Sequence, residues 1–192
     1  MYARVASFEG RDSSLTDELI KRVRDQGPSS VPDAKGFLGL FDRERGTALG
    51  ITFFDSAEAI RNSEQAFEDM AQNFPTEMRG RRASVDIHDV MIFDGDAERA
   101  KAARVSSLEG SPKNIDDSAS KVQDETLPKV RELDGSVGVI ALANRTSGLR
   151  VALANDHADL AGLNQPLSHA ESSSSASGLR GRSGRASTSL RA

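Results

Sequence analysis

The chain has 192 residues, 37% of them hydrophobic and 5% aromatic, and a net charge of −4. It contains no cysteine, which excludes disulfides, thiolate nucleophiles and cysteine-ligated metals, and no apolar run of about 18 residues that would cross a membrane. The last 22 residues hold four arginines and one glutamate, leaving residues 1–170 at −7, and such an acidic body lacks the basic face that nucleic-acid phosphates require.

The opening, Met1-Tyr2-Ala3-Arg4, carries no basic-then-apolar leader, so a soluble, cytoplasmic protein without membrane contact is expected. Residues 2–9 read as a strand. Ser14, with Asp17 three residues on, is an N-cap signal, and Leu15, Leu19 and Val23 recur at helical spacing. Gly27, Pro28 and Pro32 stop that helix. Residues 37–41 and 49–54 are short apolar strands flanking the polar turn Asp42-Arg43-Glu44-Arg45-Gly46. Asp55 with Glu58 caps the next helix, where Ile60, Phe67, Met70 and Phe74 share a face. Pro75 and Gly80 bracket its end, and residues 83–93 are a β-rich run. The order is β-α-β-β-α-β, the ferredoxin-like α+β unit with both helices on one face of a four-stranded antiparallel sheet.

A charged connector, residues 95–101, follows this first domain of residues 1–94. Then the sequence repeats itself. Arg4-Val5-Ala6-Ser7-Phe8-Glu9-Gly10 returns as Arg104-Val105-Ser106-Ser107-Leu108-Glu109-Gly110, and Gly36-Phe37-Leu38-Gly39-Leu40-Phe41 as Gly135-Ser136-Val137-Gly138-Val139-Ile140. Such spacing indicates a tandem domain, not a short solenoid. The second copy, residues 102–170, reads as a strand (102–108), a helix (113–126) and a hairpin (137–142 and 149–154). Beyond that, Gly162 and Pro166 spoil the next helix, and no counterpart of the 83–93 strand follows. Residues 171–192 contain eight serines and two leucines, too little apolar surface to offset chain entropy, and read as disordered. A shifted reading frame after Leu153 is a second explanation of the broken copy. Tyr2 and all eight phenylalanines lie within residues 1–93, so the second copy packs with aliphatic side chains alone and is expected to be the less stable half.

Three segments carry a resemblance to a known family: Tyr2-Ala3-Arg4-Val5; Gly36-Phe37-Leu38-Gly39 with its Asp42-Arg43-Glu44 turn; and Gly50-Ile51-Thr52-Phe53 running into Asp55-Ser56-Ala57-Glu58-Ala59. They are similar to the antibiotic biosynthesis monooxygenase-like (ABM) family of dimeric α/β barrels. The resemblance covers residues 2–93 and, partly, 102–154. It implies two sheets packed face to face, here from tandem copies as a pseudodimeric barrel, with a small cavity between the free sheet faces. An unfinished second copy leaves an open strand edge, through which self-association is expected. Family members include cofactor-independent oxygenases of aromatic polyketides, haem-degrading enzymes and proteins with no known activity. The absence of tryptophan argues against the haem-degrading branch.

His88 is the best single catalytic candidate. Strand alternation puts Val85 and Ile87 on one face and Asp86 and His88 on the other. If Val85 and Ile87 meet the helices, His88, oriented by Asp86, faces the cavity as a general base for a phenolic substrate. A solvated edge strand accounts for the same pair. Tyr2 either presents its hydroxyl to the cavity or covers the core as an amphipathic lid. Arg4, with its repeat counterpart Arg104, suits an anionic substrate, or a surface ion pair. His157 and His169 fit no metal-ligand spacing, and no phosphate-binding or nucleophile-elbow motif occurs. Arg79, Arg81 and Arg82 read most simply as a solvated basic turn.

The expected function is therefore that of a small-molecule monooxygenase acting without metal, flavin or other cofactor on a phenolic or polyketide-type compound. The alternative is a non-catalytic ligand-binding or assembly protein of the same fold.

Overall fold

The computed structural model describes residues 1–96, 99–109, 112–146, 148–155 and 180–182. It divides into two compact units, Met1–His88 and Asp89–Ala192.

The first unit contains β1 (Tyr2–Glu9), α1 (Thr16–Ser30), β2 (Gly36–Asp42), β3 (Thr47–Phe54), α2 (Ala57–Asn62), α3 (Glu64–Gln72), α4 (Thr76–Arg79) and the beginning of β4 (Arg81–Gly95). Its strand order is β2-β3-β1-β4, the order of the ferredoxin-like unit. The β1–β3 pairing is antiparallel from Tyr2↔Phe54 to Phe8↔Ala48, and β2–β3 from Gly36↔Phe53 to Asp42↔Thr47. The hairpin turn forms because Asp42 Oδ1 accepts from the Glu44 and Arg45 amides, both at 3.0 Å.

Local chemistry moves several boundaries from their expected places. Asp12, not Ser14, caps the first turn, accepting from the Ser14 amide at 2.9 Å. Helix α1 runs through Gly27 and Pro28 and ends at Ser30. Val31, which precedes Pro32, is extended (φ −115°, ψ 109°), as the proline ring demands of its predecessor. Ser56 instead of Asp55 caps α2, its Oγ accepting from the Ala59 amide at 3.1 Å. The expected second helix is three short ones. At the first break Ser63 is fully buried, with Oγ 2.7 Å from the Pro32 carbonyl oxygen and 2.9 Å from that of Ala59.

The helices cover one face of this sheet. Leu19, Phe41, Ala48, Phe74 and Met78 pack together with Phe8 and Val23, and Val31, Phe54, Ile60 and Phe67 with Tyr2 and Met70. The Phe54 and Phe67 rings meet edge to face at 6.3 Å.

The second unit contains the end of β4, β5 (Ala102–Glu109), α5 (Pro112–Lys121), a π turn (Val122–Thr126), α6 (Leu127–Arg131), β6 (Ser136–Asn144), β7 (Gly148–Asn155) and a short β8 (Arg180–Arg182). Here β6 pairs with β7, β7 with β5, and β5 with β8, all antiparallel, while Asp89–Gly95 runs along β6. The expected helix continues past residue 126 to Arg131. Pro128 in the first turn of α6 has no N–H for the preceding turn, and the chain takes up the mismatch in the π turn before it. Ile92, Ile115, Val122, Leu127, Val130, Val139 and Val151 form the core of this unit. The stretch containing Gly162 and Pro166, His157, His169 and the tail apart from 180–182 lie outside the described residues.

Candidate functional site

The strand registers arrange the helix-facing side chains of the first unit in rows across β1, β3 and β2. Phe8, Ala48 and Phe41 form one row, Ala6, Gly50 and Gly39 the next, and Arg4, Thr52 and Phe37 the third. The middle row carries a single methyl group, so the floor beneath the helices is hollow there. A cavity of about 110 Å³ results, bounded by the rings of Phe8, Phe37, Phe41, Phe67 and Phe74 and by Leu19, Val23 and Met70 from the helices. An apolar cavity of about 150 Å³ holds a benzene molecule, so this one is on the scale of a single ring.

Three guanidinium groups, Arg4, Arg79 and Arg82, and the Thr52 side chain complete the lining. Arg4 Nε and Nη2 donate to Glu64 Oε1 and Oε2 at 3.0 and 3.1 Å, and its guanidinium lies 3.9 Å from the centre of the Phe67 ring. Arg82 donates to both oxygens of Glu68 at 2.6 and 2.9 Å. This bond, with the charges of Arg82 and then Arg4 and Arg79, holds the Glu68 carboxyl below its ordinary range. The bond to Glu68 raises Arg82 in turn. Arg79 directs Nε and Nη1 at the carbonyl oxygens of Phe74 and Gly80 at 3.4 and 3.1 Å. Gly80 makes this arrangement possible. Its φ is +78°, and a Cβ there would lie 2.5 Å from the Glu9 carbonyl oxygen.

Of the residues singled out in the sequence, Arg4 lines this cavity, whereas Tyr2, Asp86 and His88 are not among its lining residues. Tyr2 is half-buried against Val31, Phe54, Ile60 and Phe67. Asp86 is half-buried and His88 is 2% exposed. The alternation expected for this strand puts Val85 and Ile87 inside, yet they are 36% and 40% exposed. Arg104 is half-buried on β5, opposite Leu153. The cavity lies between sheet and helices, so its polar groups come from β1, β3 and the α4–β4 turn. That turn, with Arg79 and Arg82, is the part of the site that sequence reading misses.

An aromatic-walled hollow rimmed by guanidinium groups can take up a flat apolar molecule and stabilise negative charge on it. Among the described residues no three His, Asp or Glu side chains are placed to hold a metal ion, and no helix is long and apolar enough to cross a membrane.

No family model matches the chain. An uncharacterized protein of Mycobacterium tuberculosis, Rv2557 in strain H37Rv, is 25% identical over 159 residues, covering 80% of this chain and 70% of the relative. Its counterpart in strain CDC 1551, MT2634, matches equally. Among solved structures, a putative monooxygenase from Lactobacillus acidophilus superposes with a TM-score of 0.62 at 11% identity, covering 98% of this chain and 93% of that one. A putative monooxygenase from Fusobacterium nucleatum gives 0.62 at 15% identity, over 99% and 91% of the two chains. An anthrone oxidase-like protein gives 0.62 at 11%, again over 99% and 91%. These likenesses establish the fold, an α+β architecture shared with monooxygenase-like proteins.

Proposed function

We propose that the chain is a monooxygenase-like protein of the ABM type whose first unit binds a phenolic or polyketide-type compound in the sheet–helix cavity. The observation that carries the reading is the Ala6–Gly50–Gly39 floor walled by five phenylalanines, with guanidinium groups beside it. Burying an aromatic ring there removes apolar surface from water on both partners. The guanidinium groups favour the ionised form of a phenol, the form that gives up electrons to oxygen.

In this reading no metal or flavin is needed, because the substrate supplies every electron. A ring methylene becomes a carbonyl, one oxygen atom of O₂ enters the product, and the other leaves as water with the two methylene hydrogens. His88, with Asp86 two residues before it, is the proposed base and Tyr2 a proposed hydroxyl donor. Catalysis then requires the strand bearing His88 to expose a buried imidazole to the substrate.

The second reading, binding without turnover, is favoured by the lining itself, whose protic side chains are Thr52 and three arginines, none of them a base at neutral pH. Oxygen uptake with single-ring 1,3-dihydroxybenzenes, whose keto tautomers carry the ring methylene, measured for the wild type, His88→Ala and the cavity-filling Ala6→Leu, separates the readings. Oxygenation requires uptake above that of buffer, lost in both variants. Ligand binding without any uptake leaves the non-catalytic reading.

We also propose that the two units descend from a duplication. The order β2-β3-β1-β4 in one and β6-β7-β5-β8 in the other, together with the paired Arg4–Gly10 and Arg104–Gly110 segments, supports it.

A further inference from the structure

The three guanidinium groups at the cavity are not equivalent. Glu64 holds Arg4 and Glu68 holds Arg82, each through two hydrogen bonds. The hydrogen bonds of Arg79 go instead to the main-chain oxygens of Phe74 and Gly80, and among the described residues no carboxylate pairs with it. Three cations therefore face two anions, and the excess positive charge is that of Arg79. The cavity wall next to it is made of aromatic and aliphatic side chains.

A site with one uncompensated cation beside a ring-sized apolar hollow is complementary to one kind of ligand. A neutral arene fills the hollow and leaves Arg79 without a carboxylate paired to it. A dianion brings more charge than Arg79 offsets, close to the carboxylates of Glu64 and Glu68. A monoanion satisfies both requirements, and a carboxylate matches the planar fork of a guanidinium.

We propose that this cavity selects an aromatic monocarboxylate, with the ring over the Ala6–Gly50–Gly39 floor and the carboxylate against Arg79. The proposal rests on the reading that the cavity is the ligand site, and it adds the charge class of the ligand and the residue that determines it. Arg79 is thus a specificity-determining residue, while Arg4 and Arg82 are positioning residues held by their glutamates.

The test compares two probes of nearly the same shape and different charge, 4-fluorobenzoate and 4-fluorobenzamide, by ligand-observed fluorine NMR with the full chain. The wild type should bind the benzoate about tenfold more tightly than the amide, the worth of one charge-assisted hydrogen-bonded contact. Arg79→Gln should bring the ratio to about one, by loss of benzoate affinity alone. Glu68→Gln, which removes a neighbouring negative charge and keeps Arg79, should raise benzoate affinity and leave the amide unchanged. This second variant carries the test if Arg79→Gln fails to fold by circular dichroism.

Ala6→Leu separates charge selectivity from occupancy of the cavity. Equal binding of both probes to the wild type, abolished by Ala6→Leu and untouched by Glu68→Gln, overturns the charge selectivity and leaves the cavity as the site. Binding that survives Ala6→Leu, or no binding of either probe, overturns the cavity reading and the inference with it.

Discussion

Arg4 and Glu64, sixty residues apart, form a two-point ion pair in which the arginine is 4% exposed and the glutamate 46%. The pair fastens β1 to the start of α3, with the Phe67 ring against the guanidinium face. Its asymmetry gives a prediction. Glu64→Gln leaves a buried cation without its counter-charge and should cost about 1–2 kcal/mol, less than a fully buried pair because Glu64 is half in water. Arg4→Met removes the charge and keeps most of the packing, so it should cost less. Urea unfolding followed by circular dichroism ranks the two, and a larger loss for Arg4→Met would reverse the argument.

Arg11 presents the opposite case. Its Nη2 donates to Thr16 Oγ1 at 2.9 Å, but Nε and Nη1 are buried without hydrogen-bond partners. Burial, and then the charge of Arg43, hold its pKa below the ordinary arginine value. An apolar side chain of similar length escapes this desolvation. Arg11→Met should therefore stabilise the protein by about 1 kcal/mol, read as a rise in the urea midpoint. A fall of the same size would mean that the contact with Phe41, 5.1 Å away, outweighs the missing bonds.

The cavity floor predicts a trade between stability and binding. A Cβ on Gly50 would meet Phe37 and Phe8 at 3.6–3.8 Å, ordinary contact, whereas one on Gly39 would meet Phe41 at 3.0 Å. Gly50→Ala should gain about 0.5–1 kcal/mol from reduced chain entropy and weaken ligand binding by narrowing the hollow. Gly39→Ala should gain nothing or lose stability. Thermal unfolding of both variants checks the order.

Acid should weaken the protein through Glu68 and Asp12. Hydrogen bonds from Arg82 and from Ser14, respectively, lower their folded pKa values. Through this range the unfolded chain binds more protons, so stability rises with pH. Their contribution is fully present above the unfolded carboxylate pKa of about 4 and is lost as pH falls through the lower folded values. Glu68→Gln should flatten the dependence of the unfolding midpoint on pH in that acidic window. A curve parallel to the wild type would contradict the assignment.

The succession of strands and helices in the first unit was legible in the sequence because apolar alternation, the Asp42–Gly46 turn and the helical spacing of Leu15, Leu19 and Val23 all agree. Helix ends were less so. Ser63, buried between Ala59 and Pro32, breaks a helix through a long-range hydrogen bond that local pattern does not contain. The cavity was hidden for a related reason. Ala6, Gly39 and Gly50 become one row only when three strands are in register, and register is a tertiary property. Arg4 was visible through its repeat. Arg79 and Arg82 read as a solvated turn because nothing local reveals Glu68 across from them.

The sheet–helix cavity of the first unit is the proposed small-molecule site. Methyl-resolved NMR during a phenol titration tests it most directly. Saturable shifts confined to Ala6, Leu19, Val23, Met70 and Ala71, with Ile115, Val130 and Val139 unmoved, are the result it predicts. Saturable shifts centred on the second group, or no saturation in the first, would contradict it.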